Sequence, residues 1–132
     1  NTYGGNPITC AAANATIDLV EGGMADNAAA VGAHFMAGLH ELARDFPCIG
    51  EVRGKGLMIG MELVENDAAR TPARALCDAV VTRAFHNGLL LLSCGTSTVR
   101  FMPPLNVTRE EIDEALALLR TSLTEALAGQ GA

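Results

Sequence analysis

A change of hydrophobic period at Ile49 constrains the fold of this chain more than any other feature of its sequence. Upstream, large apolar residues recur every three or four positions over residues 25–46, which is the spacing of one helix face. Downstream, apolar residues alternate with smaller or polar ones over residues 57–63, which is the period of a strand with one buried side. The chain therefore has to combine helices with a sheet.

Cap and turn signals predict two helices before the sheet. Asn6-Pro7 places an N-cap residue before a proline at the first helical position, so a first helix is expected over residues 7–21. Gly22-Gly23 ends it, because adjacent glycines carry too much backbone freedom for a helix. The second helix, over residues 25–46, stops at Pro47.

The remaining elements follow from similar signals. Thr71-Pro72 repeats the cap-and-proline pattern and predicts a third helix ending at Gly88. Thr108 and Glu111 form a capping box before the last helix. Strands are expected over residues 49–53, 57–64, 89–93 and 98–102. This order predicts an α+β fold with a small, mostly antiparallel sheet covered by helices and preceded by a linking helix pair.

Composition and charge exclude several classes of protein. The chain has 132 residues, enough for one domain or a piece of a larger protein. Its 9 basic and 15 acidic residues give a net charge of -6, which argues against nucleic-acid or membrane-surface binding. A hydrophobic content of 49% excludes long disorder. Without a signal-peptide pattern or an apolar span, we expect a soluble cytoplasmic protein.

The cysteines do not form a pattern typical of a metal site or a disulfide framework. There is no C-x-x-C pair and no Cys/His cluster, which argues against zinc. We interpret them as scattered buried thiols in a reducing cytoplasm. The four are Cys10, Cys48, Cys77 and Cys94.

Arg100 is the charged residue that stands out within the apolar runs. It is the only charge over residues 84–108 and lies in the middle of a predicted strand, on the same face as Thr98 and Met102. A planar guanidinium matches a carboxylate bidentately, so Arg100 is a candidate ligand for a carboxylate. A solvated edge-strand arginine and an internal salt bridge are the alternatives.

The other basic residues receive structural interpretations. Lys55, the only lysine, lies in a predicted Gly-Lys-Gly turn, and an exposed lysine is a poor Schiff-base nucleophile. Arg53 is expected to pair with a carboxylate or to cap backbone carbonyls. Three histidines have no partner at metal-ligand spacing and are expected on helix surfaces: His34, His40 and His86.

Residues 2–7 form a glycine-containing loop directly before the first helix. The hydroxyl of Thr2 and free backbone N–H groups beside a helix N-terminus make a plausible cradle for an anion. An ordinary helix cap gives the same pattern, so both interpretations stay open here.

Three segments of the sequence resemble the signatures of one enzyme family. They read TYGGNPITCAAA at residues 2–13, VRGKGLMIG at 52–60 and VRFMPPL at 99–105. In this order they are similar to motifs of class III aminotransferases, which are pyridoxal-phosphate enzymes of fold type I. GLLLLSCG at residues 88–95 is especially similar to 4-aminobutyrate aminotransferases. The resemblance covers nearly the whole chain but only the C-terminal third of such an enzyme.

The resemblance implies a division of the chain and two binding residues. Residues 1–22 are expected to be the end of the large-domain phosphate loop with a linking helix, and residues 23–132 the C-terminal small domain. Thr2 resembles the threonine that holds the phosphate of pyridoxal 5'-phosphate across a homodimer interface. Arg100 resembles the arginine that grips the substrate carboxylate. In the family the cofactor-binding lysine lies upstream of these motifs and Lys55 does not match it, so we expect no catalytic residue in this chain.

The reaction implied is transfer of an amino group from 4-aminobutyrate or a related ω-amino acid to a 2-oxo acid, which the chain by itself is not expected to perform. Within the same family, an acetylornithine or ornithine aminotransferase or an amino-acid racemase stays open. From another class, the strand and helix order also fits a free-standing ferredoxin-like module that binds small carboxylates through Arg100.

Overall fold

The computed structural model describes residues 2–65 and 69–129 and contains four helices and one four-stranded sheet within those ranges. The helices are α1 (Pro7–Leu19), α2 (Ala25–Asp45), α3 (Arg74–His86) and α4 (Arg109–Ala128). The strands are β1 (Ile49–Lys55), β2 (Met58–Leu63), β3 (Leu92–Cys94) and β4 (Thr98–Phe101). Two helices precede a β-β-α-β-β-α unit, so the predicted order of elements is confirmed. No described helix is both long enough and apolar enough to cross a membrane.

The sheet is antiparallel throughout, in the order β1-β2-β4-β3. β1 and β2 form a hairpin in which Lys55 pairs with Met58 across the two-residue turn Gly56-Leu57. Gly56 has a φ of 57°, a left-handed conformation that favours glycine at this position of a hairpin turn. The predicted turn is Gly54-Lys55-Gly56, whereas the observed one is Gly56-Leu57, so β1 extends two residues further than expected.

Helices cover one face of the sheet, as the sequence predicts. Alternation turns Ile59, Met61 and Leu63 of β2 and Val99 and Phe101 of β4 into the core, where all five are buried. They form one cluster with buried residues of α2, α3 and α4. The other face carries β2 and β4 residues of opposite parity and is open.

One aromatic pair joins α2 to the sheet, and two exposed polar pairs join α2 to α4. Phe35 of α2 meets Phe101 of β4 edge to face, with ring centroids 5.1 Å apart. His34 Nε2 lies 2.6 Å from Asp113 Oδ1 of α4, so this histidine, expected to be a plain surface residue, links two helices. Arg120 of α4 reaches Asp45 at the end of α2, 2.8 Å away.

Helix α1 stands apart from the rest of the described structure. All thirteen of its residues are described and none is buried, and it contacts no element other than the adjoining segment Val20–Met24. Gly23 in that segment has a φ of 130°, which bends the chain between α1 and α2. The predicted break at the glycine pair is confirmed, and the helix itself ends two residues earlier than expected.

The predicted start of α3 is wrong. Thr71 and Pro72 do not cap a helix but continue the sheet: the N–H of Glu65 donates to the Thr71 carbonyl, and Val64 bridges to Pro72. The helix begins at Arg74 after Ala73, which supplies no side-chain cap. Asn6-Pro7 shows that an extended residue before a proline can cap a helix, so what differs here is the pairing of residues 71–72 with residues 64–65 beside the sheet.

Two further expectations are corrected by the structure. β3 begins at Leu92 rather than residue 89, because the N–H of Leu89 closes α3 by donating to the Ala84 carbonyl. Of the four thiols only Cys77 is buried, Cys48 is half-buried, and the other two are exposed. Burial raises the pKa of both Cys77 and Cys48.

Candidate functional site

Arg100 lies on an inner strand of the sheet, with its side chain on the open face. β4 runs between β2 and β3, so the edge-strand interpretation of this arginine is wrong. Its cross-strand partners are Gly60 on one side and Leu92 on the other. Gly60 has no side chain, so the backbone beside Arg100 forms the floor of a groove. The local sequence does not reveal the role of Gly60, because it depends on the pairing of β2 with β4.

The Arg100 guanidinium makes no hydrogen bond or ion pair with any described residue, so the internal salt bridge considered as an alternative is not formed there. Two carboxylates near Arg100, one on the neighbouring strand β2 and one on α4, already pair with other groups. Glu62 pairs with Arg53 at 3.0 Å, and Glu111 accepts from the backbone N–H of Thr108 at 2.8 Å. A charged, exposed guanidinium without a protein partner can donate to both oxygens of an added carboxylate.

Arg100 borders two depressions, which differ in character. One, of about 380 Å³, lies over the open face and is bordered by Arg53, Gly60, Cys94 and Thr98. The other, of about 160 Å³, lies toward the core and is mostly apolar, being lined by residues 89–91 and 101–103 together with α2 and α4 side chains. An apolar hollow beside one cation suits a small molecule with a carboxylate and a short hydrocarbon chain.

Arg53 has the structural role that its sequence context predicts. Its guanidinium nitrogen Nη1 donates to Glu51 at 2.8 Å and to Glu62 at 3.0 Å. Hydrogen bonding to Glu62 is the main reason that the pKa of Arg53 is raised. Glu51 and Glu62 lie directly opposite each other across β1 and β2, so without Arg53 two like charges would face each other.

The loop before α1 offers fewer free donors than its sequence suggests. The side chain of Asn6 accepts from the backbone N–H groups of Ile8 and Thr9, at 2.9 and 3.2 Å, and Pro7 has no N–H. The ordinary helix cap, one of the two interpretations of this loop, is therefore formed, with Asn6 as the N-cap residue. Thr2 is exposed, and its hydroxyl has no hydrogen-bond partner among the described residues, so it is available to donate to an anion.

The structure does not bring Thr2 and Arg100 together. α1 packs on neither the sheet nor the other helices, and neither depression beside Arg100 includes a residue that precedes Phe35. Lys55 is exposed at the end of β1, as expected, and does not line either depression. Thr2 and Arg100 are thus two separate candidate contacts, and a lysine at either depression has to come from residues outside this chain.

Comparisons with known proteins agree on one family. A model of the family described as aminotransferase class-III matches residues 1–123. The 5-aminovalerate aminotransferase of Pseudomonas putida is 41% identical over 94% of this chain and 30% of its own length. The ornithine aminotransferase of Bordetella pertussis is 43% identical over 98% of this chain and 29% of its own.

Solved structures show the same likeness in three dimensions. An amine transaminase from an uncultivated Pseudomonas species, crystallised in its PLP-bound form, superposes with a TM-score of 0.88 at 35% identity. The match covers 96% of this chain and 29% of that one. The chain belongs to the class III aminotransferase family, whose members use pyridoxal phosphate, and it spans about a third of the length of these relatives.

Proposed function

We propose that this chain is the C-terminal part of a pyridoxal-phosphate-dependent aminotransferase in which Arg100 binds the substrate carboxylate. The observation that carries the proposal is the uncommitted guanidinium of Arg100, which borders an apolar hollow on a chain of this family. Family membership also argues against a free-standing carboxylate-binding module. The substrates are an amino acid and a 2-oxo acid.

Arg100 would act by binding and orienting the substrate. Its two terminal nitrogens match the two oxygens of a carboxylate, and the pairing of β4 with strands on both sides holds the backbone beneath it in place. Once the carboxylate is bound, the carbon that carries the amine or the carbonyl group of the substrate is held at a fixed position in the site. Orientation of this kind accounts for a large part of the barrier reduction available to an enzyme.

Thr2 would hold the cofactor, with its free hydroxyl and backbone N–H directed at the phosphate of pyridoxal 5'-phosphate. The cofactor, when bound, serves as the electron sink for the amino-group transfer. Because Thr2 and Arg100 lie apart in one chain, we propose that Thr2 serves the site of the second subunit in a homodimer. Each site would then contain Arg100 of one subunit and Thr2 of the other.

We further propose that residues 1–22 join the large domain and that residues 23–132 are the small domain. The separation of α1 from the sheet and the bend at Gly23 support a boundary at this point. The enzyme would work in the cytoplasm, in agreement with its free thiols.

The proposed amino donor is an ω-amino acid, 4-aminobutyrate or a homologue such as 5-aminovalerate. Similarity to a 5-aminovalerate aminotransferase and the GLLLLSCG segment support this choice. Similarity to an ornithine aminotransferase supports ornithine as the second candidate. Initial rates of the complete enzyme with the three donors, at one fixed 2-oxo acid, decide between them: ornithine as the best donor would contradict the first choice.

Arg100→Ala in the complete enzyme tests the proposed carboxylate contact. Losing a charge-assisted pair of roughly 1.5–3 kcal/mol is expected to raise the KM for the 2-oxo acid about 10- to 150-fold. The affinity for pyridoxal phosphate should change less than twofold. Steady-state kinetics and cofactor titration measure the two quantities.

Arg83→Ala is the matched control, since Arg83 is an exposed arginine on α3, which covers the opposite face of the sheet. It should leave both quantities unchanged. A KM for Arg100→Ala within twofold of that of the unmodified enzyme, or equal losses of oxo-acid and cofactor binding, would overturn the assignment.

A further inference from the structure

Three adjacent strands place two arginines in one row on the open face, with a glutamate in the next row. Arg53 of β1 and Arg100 of β4 are both cross-strand partners of Gly60 of β2, one on each side. Glu62 lies two residues further along β2 on the same face. Glu62 is therefore the diagonal neighbour of both arginines, about 7–8 Å from each between Cα atoms, which is within reach of an arginine side chain.

Of its two arginine neighbours, Glu62 pairs with Arg53 in this structure. The Nη1 atom of Arg53 lies 3.0 Å from Glu62 and 2.8 Å from Glu51, so one guanidinium contacts both carboxylates of that cross-strand pair and offsets part of their negative charge. Gly60 between the arginines has no side chain, and Thr98, the cross-strand partner of Glu62, places its methyl group close to the space above Gly60.

We propose that Arg53 is a positioning residue that keeps Arg100 free for substrate by holding Glu62. Without Arg53, Glu62 faces the like charge of Glu51 across the strand pair, and the cation left within reach is Arg100. Glu62 then turns to Arg100 and competes with the substrate carboxylate. The inference rests on the proposed role of Arg100 and adds a residue to it.

Arg53→Gln in the complete enzyme tests the inference. Competition from a partly exposed ion pair predicts a two- to fivefold rise in the KM for the 2-oxo acid. The kcat and the cofactor affinity should stay unchanged, because the Arg53 side chain is 49% exposed and pairs with Glu51 and Glu62 rather than with Thr2. The Tm should fall slightly, because Glu51 and Glu62 then face each other as like charges.

Two double variants of equal net charge separate competition from a general loss of positive potential. Arg53→Gln with Glu62→Gln removes the competing carboxylate and should restore the KM. Arg53→Gln with Glu51→Gln removes the carboxylate of β1, which lies two strands from Arg100, and should keep the KM raised.

The inference is overturned if Arg53→Gln leaves the KM unchanged, if the Glu62 variant fails to restore it, or if both double variants restore it equally. Arg100→Ala measured alongside distinguishes this failure from that of the proposed function. A large rise in the KM for Arg100→Ala with no change for Arg53→Gln would contradict only the proposed role of Arg53. An unchanged KM for Arg100→Ala would contradict both the role of Arg53 and the proposed carboxylate contact of Arg100.

Discussion

Two glycines of α2 lie where a side chain has no room, and they differ in what they face. A methyl group at Gly32 would overlap the backbone of Gly56 in the β1–β2 turn. At Gly38 it would meet the tip of the Leu116 side chain. Backbone in a two-residue turn cannot move aside, whereas a leucine side chain can change rotamer.

Gly32→Ala should therefore lower the free energy of unfolding by about 1–3 kcal/mol, the usual range for overpacking. Gly38→Ala is the matched control on the same helix. Its better helix propensity, about 1 kcal/mol, offsets the displacement of Leu116, so its stability should stay within about 1 kcal/mol of the unmodified protein. Denaturant titration of both variants measures the difference, and equal effects would contradict the close contact at Gly32.

At the scale of single residues, the sequence predicts that Arg100 is a candidate ligand for a carboxylate, but it does not predict which residues surround it. An isolated charge in an alternating apolar run identifies the residue and its face, because strand periodicity is local. The pairing of Arg53 with Glu62 depends on the register between two strands, which no local pattern specifies. The same holds for Gly60 as the floor beside Arg100.

At the scale of elements, capping chemistry determines where α4 begins. The Thr108 hydroxyl accepts from the Glu111 N–H at 3.2 Å, and Glu111 accepts from the Thr108 N–H at 2.8 Å. Both halves of the predicted capping box are present. The same chemistry fails at Thr71 because this segment pairs with the end of β2 and the residues that follow it.

Thr108→Ala should lower the stability of the protein by about 1 kcal/mol through loss of this cap. Thr121→Ala, in the interior of the same helix, removes a hydroxyl that only donates to the Ala117 carbonyl at 3.1 Å. Alanine has the higher helix propensity, so this control should be neutral or slightly stabilising. Thermal unfolding followed by circular dichroism compares them, and a Tm that falls equally in both would contradict a specific cap.

At the scale of the whole molecule, α1 exposes apolar side chains that pack against no strand and no other α-helix of the described structure. Ile8 is 81% exposed and Leu19 is 58% exposed, and their spacing of three helical turns puts them on one face. The order of the sheet and the open face could not be read from the sequence, because both depend on long-range strand pairing. The sequence does show that α1 carries almost no charged residues, and a helix of this composition usually packs on more than one side.

The 132-residue chain prepared by itself should therefore self-associate through α1 at micromolar concentration. Ile8→Glu with Leu19→Lys keeps the net charge, suits the helix dipole and should yield a monomer in sedimentation velocity. Thr82→Glu with Thr121→Lys makes the same charge change on exposed positions of α3 and α4 and should leave the association intact. A chain that is monomeric without substitution would contradict this role of α1.

The most direct test of the carboxylate contact is a crystal structure of the complete enzyme with a 2-oxo acid bound. We predict that both carboxylate oxygens lie about 2.7–2.9 Å from the terminal nitrogens of Arg100, with Glu62 still held by Arg53. A carboxylate bound by other residues, with Arg100 paired to a side chain of the protein, would contradict the account.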